Sequence, residues 1–585
     1  MSEMINVTIN GMSVSVPAGS TILEAARQIG VEIPTLCFMK ERNEIGACRI
    51  CIVEANEGRG FRSVASCVYP VSEGMEVRTN TPDIIKARKT TLELILSTHD
   101  RKCLSCVRSG NCELQSLCND FGIEEEARFD GYKPEYEIDC SSPHMIRNNN
   151  KCVLCRRCIA ACEAQHVGVI GANDRGIDTN VGCAFNKSLN EVACISCGQC
   201  IVNCPTGALT EKDATDVLFE AISDPEKTVI VQTAPAVRAA LGEEFGMPIG
   251  TLVTGKMVAS LRRLGFDKVF DTDFGADLTI MEEGTEFIDR LQNGGKLPLI
   301  TSCSPGWIKF CEMYHPDMLE NLSSCKSPQQ MFGAVIKTWY AEKNGLDPKN
   351  IVSVSVMPCT AKKFEINRED ESAAGIPDVD VTITTRELAR MIKRARINFN
   401  ALPDEEFDNP LGEGTGAAVI FGVTGGVMEA ALRTVAEILE GKAFEKVDYE
   451  MVRGNASLKE ATLKIAGIDV NIAVVSGMEA AHELLNKVKS GEKQYHFIEI
   501  MGCPGGCING GGQPIQPASV RATNDIKALR AGALYRDDQA NKFRKSHENK
   551  MVIKLYEEYL EKPGSHKAHE ILHTSYVDRS KSVIK

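Results

Sequence analysis

Residues 152–162 read CVLCRRCIAAC, and residues 194–205 read CISCGQCIVNCP. Both runs have the spacing C-x2-C-x2-C-x3-C, and a proline follows the second. Thiolates are soft, charged donors that suit iron, and such short spacers let three of them converge on one four-iron cube. A zinc ion needs only four ligands and does not explain two identical runs of three plus one. The runs therefore predict a pair of [4Fe–4S] clusters.

In this spacing, which is typical of two-cluster ferredoxins, the fourth cysteine of each run ligates the other cluster. One predicted cluster is held by Cys152, Cys155, Cys158 and Cys204. The other is held by Cys194, Cys197, Cys200 and Cys162. Because each cluster joins both runs, we predict a ferredoxin-like domain over residues 136–212.

A looser group of cysteines lies near the N-terminus, with one early thiol, a CxxC pair and a late thiol. This plant-type pattern favours a [2Fe–2S] cluster, with structural zinc as the alternative. Its members are Cys37, Cys48, Cys51 and Cys67. Alternating residues flank the turn Asn10-Gly11, and Thr21 with Glu24 forms a capping box before a helix. The pattern predicts a β-grasp domain over residues 1–80.

A third group combines one histidine with three cysteines in 14 residues. Its members are His99, Cys103, Cys106 and Cys112. Together they favour a [4Fe–4S] cluster with one imidazole ligand, in a helical domain over residues 81–135. A neutral ligand changes the charge of the cluster and hence its reduction potential.

The composition narrows the class of protein. The chain has 585 residues with 66 Lys and Arg against 79 Asp and Glu, a net charge of −13, which argues against nucleic-acid binding. We find no apolar run long enough to span a membrane and no export signal at Met1, so we expect a cytoplasmic protein without membrane insertion.

Eighteen of the 24 cysteines precede residue 205, in clusters that favour metals over disulfides. We expect the cysteines outside these motifs to be small buried hydrophobes, namely Cys118, Cys140, Cys183, Cys311 and Cys325.

After about residue 215, short apolar runs alternate with helical stretches, which predicts α/β layers with largely parallel sheets. Cys303, Cys359 and Cys503 each follow a predicted strand, where sites of such folds gather. We therefore expect an α+β multidomain chain, with a catalytic domain of two α/β lobes over residues 213–540 and a helical tail over residues 541–585. The predicted strands are residues 228–232, 297–301, 351–356, 417–421, 470–475 and 497–500.

Three segments of this region are TSCSPGW at residues 301–307, MPCTAKKFE at residues 357–365, and EIMGCPGGC at residues 499–507, continued by GGGQP at residues 510–514. They resemble the three signature segments of [FeFe]-hydrogenases. With the four-cluster front end, the resemblance covers nearly the whole chain, and it is closest to the catalytic subunits of multisubunit NADP-reducing hydrogenases. It implies interconversion of H2 with protons and electrons at an H-cluster, a [4Fe–4S] cube joined to a diiron unit that carries CO, cyanide and a dithiolate amine.

The resemblance also implies roles for individual residues. Cys359, Cys503 and Cys507 are implied as ligands, Cys507 being the bridge to the diiron unit, and Lys362 as a hydrogen-bond donor to cyanide. The implied pocket residues are Pro235, Gln329, Met357 and Met501. The implied proton path runs through Glu283, Ser323 and Glu286 and ends near Arg290. Glu283 and Glu286 are three residues apart, so on a helix they share a face.

The first segment departs from the commoner family pattern, which has two adjacent cysteines before the proline. The first of these relays protons and the second ligates the cube, whereas here the pair is Cys303 and Ser304. Three arrangements are open: Cys303 ligates and Ser304 relays protons, Ser304 ligates through oxygen, or the ligand is missing. Because oxygen is a harder donor than sulfur, we favour Cys303 as the ligand.

No GxGxxG motif follows a strand and opens a helix, and GEGTG at residues 412–416 precedes a predicted strand. If NADP is the electron partner, another subunit carrying flavin and iron–sulfur sites must bind it, and a ferredoxin is a further candidate partner. The competing functions are an H2 sensor and an electron-relay subunit without high turnover. A sensor is expected to carry an extra regulatory domain, and a relay to lack the three segments.

Overall fold

The computed structural model describes residues 3–124, 128–129, 131–444 and 447–581. Each predicted domain except residues 136–212 includes a few residues outside this description. Among the described residues, no helix is long and apolar enough to cross a membrane.

The N-terminal lobe is a five-stranded mixed sheet that packs against one helix. Its strands in spatial order are Met12–Pro17, Met4–Ile9, Glu76–Arg78, Ile52–Asn56 and Arg62–Ala65. The helix Ile22–Gln28 begins at the capping box that Thr21 and Glu24 form, as predicted. Asn10 and Gly11, both with positive φ, make the hairpin turn between the first two strands.

The next two lobes contain little regular structure. Helices Pro82–Thr98 and Glu113–Asp120 flank the loop that carries the histidine and the three cysteines. The two dense cysteine runs lie among two short helices and two small sheets. These elements are Arg157–Glu163, Gln199–Val202, Met145–Arg147 with Leu209–Glu211, and Gly171–Asn173 with Asn180–Gly182.

Two four-stranded sheets organise the rest of the chain. One is wholly parallel, in the order Lys268–Asp271, Thr228–Thr233, Ile351–Met357 and Val381–Thr384. The other has the order Leu299–Ile300, Phe497–Met501, Ile468–Ser476 and Leu458–Ile465, and only the last strand is antiparallel. The main helices are Thr215–Ser223, Thr254–Leu264, Thr272–Asn293, Pro305–Tyr314, Pro328–Val335, Thr385–Arg394, Gly426–Glu440, Met478–Lys489 and Ile526–Ala540. The shorter ones are Pro235–Arg238, Ala341–Asn344, Lys362–Glu365, Gly416–Val419, Ala518–Thr523, Lys550–Leu555 and His566–Leu572.

The prediction of a strand at residues 417–421 was wrong, because this stretch is helical from Gly416–Val419 into Ile420–Gly422. All of these residues are buried, so the segment has no polar face whose period could separate a helix from a strand. The glycine-rich residues 412–416 therefore precede a helix, yet they follow a loop and not a strand.

The C-terminal tail is helical, as predicted, but it is part of the core rather than a polar cover. Leu555, Tyr556 and Leu572 are buried against Phe274 and Phe332 of the first catalytic lobe. The expectation for the unassigned cysteines was wrong for Cys140, which is exposed because it lies in a surface loop. Cys118 is half-buried, and the other three are buried.

Candidate functional site

The structure brings the eight thiols of the two dense runs together in the crosswise sets predicted from their spacing. Burial, followed by the neighbouring thiolates of Cys204 and Cys152, raises the pKa of Cys155. The same four thiols line one small cavity, which contains Cys152, Cys155, Cys158 and Cys204. In the second set, burial and then the thiolates of Cys197, Cys194 and Cys162 raise the pKa of Cys200. The thiolate of Cys158, from the first set, adds to this, so the two sets adjoin each other.

The four cysteines of the N-terminal lobe form two close pairs. The sulfurs of Cys51 and Cys67 are 3.3 Å apart, and Cys37 lies within hydrogen-bonding reach of Cys48. Hydrogen bonds from their partners lower the pKa of Cys48 to about 6 and that of Cys51 to about 7. The same hydrogen bonds raise the pKa values of Cys37 and Cys67, so each pair shares a proton when no metal is bound. A metal centre would take the place of these protons.

His99 has the environment of a metal ligand. It is 7% exposed, and its Nδ1 atom has no hydrogen-bond partner among the described residues. Burial lowers the pKa of the imidazole to about 4, so the ring is neutral at pH 7. Cys103, Cys106 and Cys112 share its loop, where burial raises the pKa of Cys112 and the thiolate of Cys106 adds to this.

Within the described ranges, no three Cys, His, Asp or Glu side chains converge closely enough to hold a single metal ion. A four-iron cube is wider than one ion, so its ligands lie further apart than those of zinc.

Direct contacts link three of these sites to one another, namely the N-terminal thiols, the His99 loop and the first thiol set. The amide of Asn43 donates to the carbonyl oxygens of Cys37 (2.7 Å) and Cys155 (2.9 Å). The guanidinium of Arg108 donates to the carbonyl oxygen of Cys204 at 3.1 Å. A Cβ atom on Gly207 would lie 2.8 Å from the sulfur of Cys106. The N-terminal thiols and the His99 loop thus both adjoin the first thiol set. We call this branched arrangement the fork, with these two sites as its arms.

The second thiol set adjoins the catalytic lobes. The thiolate charge of Cys503 contributes, after burial, to raising the pKa of Cys197. The side chain of Gln199 donates to the carbonyl oxygen of Asn509 at 3.0 Å. The second thiol set, which forms the stem of the fork, therefore lies next to the third signature segment.

A largely apolar cavity lies there, where strands of both catalytic sheets end. The carboxyl ends of the strands Thr228–Thr233, Leu299–Ile300, Ile351–Met357 and Phe497–Met501 meet at it. All of the predicted ligands and pocket residues line this one cavity, namely Pro235, Cys303, Ser304, Gln329, Met357, Cys359, Lys362, Met501, Cys503 and Cys507.

Lys362 is held at the cavity wall by groups that the sequence did not reveal. Its ammonium donates to Glu365 Oε2 (2.8 Å) and to the hydroxyl of Ser327 (2.7 Å). Gln329 donates to the same carboxylate at 2.9 Å. Glu365 lies in the signature segment three residues after Lys362 on one helix, and that spacing was the available signal for the pair.

Three residues of the predicted proton path, Ser323, Glu286 and Arg290, are joined by hydrogen bonds, and Glu283 lies beside them. Ser323 donates to Glu286 at 2.7 Å, and Arg290 contacts the same carboxylate at 2.6 Å. Burial, and then the charge of Glu286, raises the pKa of Glu283 to about 8. Neither carboxylate oxygen of Glu283 has a partner within hydrogen-bonding distance among the described residues, although Ser323 lies close enough to favour its charged form.

A C-terminal segment that the sequence did not reveal binds the loop of Ser323. Lys326 donates its backbone N–H to Leu572 (2.9 Å), and Thr574 donates to Ser324 (2.8 Å). The hydroxyl of Tyr576 donates to the carbonyl oxygen of Ser323 at 2.5 Å. These contacts join residues about 250 positions apart, so no local pattern could predict them.

Comparison with known families gives matches to five parts of the chain. Residues 227–511 match "Iron only hydrogenase large subunit, C-terminal domain", and residues 524–579 match "Iron hydrogenase small subunit". Residues 2–82 match a 2Fe-2S iron–sulfur cluster binding domain, and residues 188–210 match a 4Fe-4S binding domain. Residues 88–127 match the iron–sulfur binding region of NADH-ubiquinone oxidoreductase-G.

Similar proteins include NADP-reducing hydrogenase subunit HndD of Solidesulfovibrio fructosivorans, at 50% identity over 99% of this chain and 100% of that protein. Iron hydrogenase 1 of Clostridium pasteurianum is 45% identical over 98% of this chain and 100% of that protein. Among solved structures, the apo [FeFe]-hydrogenase HydA1 of Chlamydomonas reinhardtii is 41% identical, with a TM-score of 0.57, over 64% of this chain and all of that one.

Proposed function

This chain belongs to the iron-only hydrogenase family, and on that premise we propose how its residues serve the reaction. It is an oxidoreductase acting on H2, with a hydrogenase catalytic domain behind N-terminal iron–sulfur domains. The observation that carries the proposal is the single cavity, because the predicted ligands and pocket residues from distant segments all line it. An electron-relay subunit has no need of such a cavity.

We propose one [2Fe–2S] cluster, three [4Fe–4S] clusters and one H-cluster, held by the residues assigned above. The H-cluster, when bound, supplies the iron site at which H2 is formed or split. Cys359, Cys503 and Cys507 would hold it, and the ammonium of Lys362 would serve as a hydrogen-bond donor to a cyanide. Because Glu365 and Ser327 also bind the ammonium, they fix its direction.

Protons travel between the cavity and water through Glu283, Ser323 and Glu286, next to Arg290. The raised pKa of Glu283, about 8, supports this role because a relay works best when its pKa is near the operating pH. The apolar cavity wall excludes water, so protons need such a fixed route.

Electrons pass along the fork of contacts to a partner subunit that binds NADP through flavin and iron–sulfur sites, or to a ferredoxin. The relationship to a subunit of an NADP-reducing hydrogenase supports partner subunits. Leu104, beside the cluster ligand Cys103, is fully exposed between Lys102 and Ser105, and we propose that a partner covers it. We also propose the cytoplasm as the compartment.

The mixed sheet and helix of the first lobe support a β-grasp fold over residues 1–80. The proposed boundaries of the other domains are 81–135, 136–212, 213–540 and 541–585.

Infrared spectroscopy of anaerobically purified, maturated protein tests the function, since protein does not absorb where metal-bound CO and cyanide do. We expect those bands together with about twenty irons per chain on these cluster types. Stoichiometric zinc in place of part of the iron is incompatible with at least one cluster assignment. H2 evolution from a reduced dye distinguishes an enzyme from a sensor or relay.

His99 offers a separate test of the third cluster. We expect His99→Cys to keep a four-iron cluster, lower its potential through the added negative charge and slow electron delivery. His99→Ala leaves one coordination position open and should cost most of that cluster. Electron paramagnetic resonance that is unchanged in both variants would show that the imidazole is no ligand.

A further inference from the structure

A cube with four cysteine ligands and a separate cysteine as proton relay needs five thiols. The cavity has one thiol fewer. Cys303 and Ser304 are neighbours between the strand Leu299–Ile300 and the helix Pro305–Tyr314. Ser304 has extended backbone angles, φ −102° and ψ 101°. Neighbouring side chains on extended backbone point in opposite directions, so the two side chains face different parts of the cavity.

Cys303 faces the proton path. Its side chain packs against the hydrophobic cluster that contains Ala276 and Ile280 of the helix Thr272–Asn293. Glu283, the acid that begins the proposed route, lies on the same helix about one turn after Ile280.

Ser304 faces the ligand side. Its hydroxyl oxygen accepts the backbone N–H of Gly502, the residue before Cys503, at 3.1 Å. A Cβ atom on Gly306, two residues later, would lie 3.9 Å from Cys197, in the thiol set that adjoins the cavity. Ser304 makes no capping hydrogen bond to the helix it precedes, so its hydroxyl has no role in helix capping.

We infer that the hydroxyl of Ser304, and not the thiol of Cys303, occupies the fourth ligand position of the cube, which is then held by three thiolates and one serine oxygen. The inference rests on the proposed function and reverses the preference for Cys303 drawn from donor softness alone. On binding as an alkoxide, the hydroxyl releases its proton to water. Cys303 keeps its thiol as the relay between the cavity and Glu283.

The test uses the full chain made without the maturation enzymes, so that the cubes form and the diiron unit is absent. Oxygen binds cluster iron less firmly than sulfur does, so mild oxidation with ferricyanide should release about one iron per chain and produce a three-iron paramagnetic signal. Ser304→Ala should give the same signal, and Ser304→Cys should suppress it. The other clusters are common to all variants and cancel in difference spectra.

Cys303→Ser is the matched control, and its iron content and oxidised spectrum should equal those of the unaltered chain. If Cys303→Ser loses the iron of one cube while Ser304→Cys is indistinguishable from the unaltered chain, Cys303 is the ligand and the inference fails. It also fails if Ser304→Cys leaves the three-iron signal in place. Absence of CO and cyanide bands from maturated protein would instead refute the proposed function, because this experiment requires no diiron unit.

Discussion

Replacing Glu283 with glutamine should reduce H2 evolution and H2 oxidation by about 100-fold or more, the lower end of what a positioned acid–base group contributes. The amide keeps the size of the side chain but cannot take up and release a proton. Glu283 lies on the helix whose apolar residues pack with Cys303, and Ser323 and Glu286 lie beside it. Dye-coupled assays in both directions, between pH 6 and 9, measure the loss.

The folded protein itself should tolerate this change. Since burial raises the pKa of Glu283 to about 8, the fold disfavours its charged form. Such a carboxyl costs no stability below its unfolded pKa of 4.5, and its destabilising effect grows as pH rises toward about 8. Glu283→Gln should therefore match or exceed the unaltered chain in melting temperature at pH 8 and keep its iron. A variant with normal turnover would place the proton route elsewhere.

Loss of the first dense thiol set should stop electron flow from both outer lobes at once. Cys158→Ala removes a ligand of the site that adjoins both the N-terminal thiols, through Asn43, and the His99 loop, through Arg108. H2 oxidation coupled to a protein acceptor should fall to the background rate. Exchange of H2 with D2O, which needs no external electrons, should continue because the cavity is intact.

Cys51→Ala is the matched variant, since it removes a ligand from only one arm of the fork. It should keep electron flow through the His99 arm, and therefore part of the acceptor-coupled rate. Equal and complete loss in both variants would mean that the N-terminal lobe is the sole route. If Cys158→Ala also loses isotope exchange, the domain has unfolded, and the milder Cys158→Ser must be compared with it.

The iron–sulfur motifs could be predicted from sequence because cluster ligands converge over short spacers. The spacing alone predicted which thiols of the two dense runs lie together, including the exchange of Cys162 and Cys204. The strands ending at Met357 and Met501 were also predictable, since their apolar runs are bounded by proline or glycine.

Other features could not be predicted, and each has a physical reason. Residues 417–421 are buried on every side, so their pattern carries no period. The direction in which the Cys303 side chain points depends on the backbone between one strand and one helix. The chemistry of the donor atoms alone had favoured Cys303, and not Ser304, as the ligand. Tyr576 and Ser323 meet only in the finished tertiary structure.

The bonds between residues 572–576 and the loop of Ser323 have a consequence for the synthesis of the chain. All the proposed cluster ligands, up to Cys507, leave the ribosome before Leu572, Thr574 and Tyr576 do. A growing chain can thus already contain all of its cluster-ligand residues while the proton-path loop still lacks the bonds at Ser323, Ser324 and Lys326. The order of translation therefore separates two events. The ligands of the metal sites are complete first, and the loop of the proton route is bonded in place later.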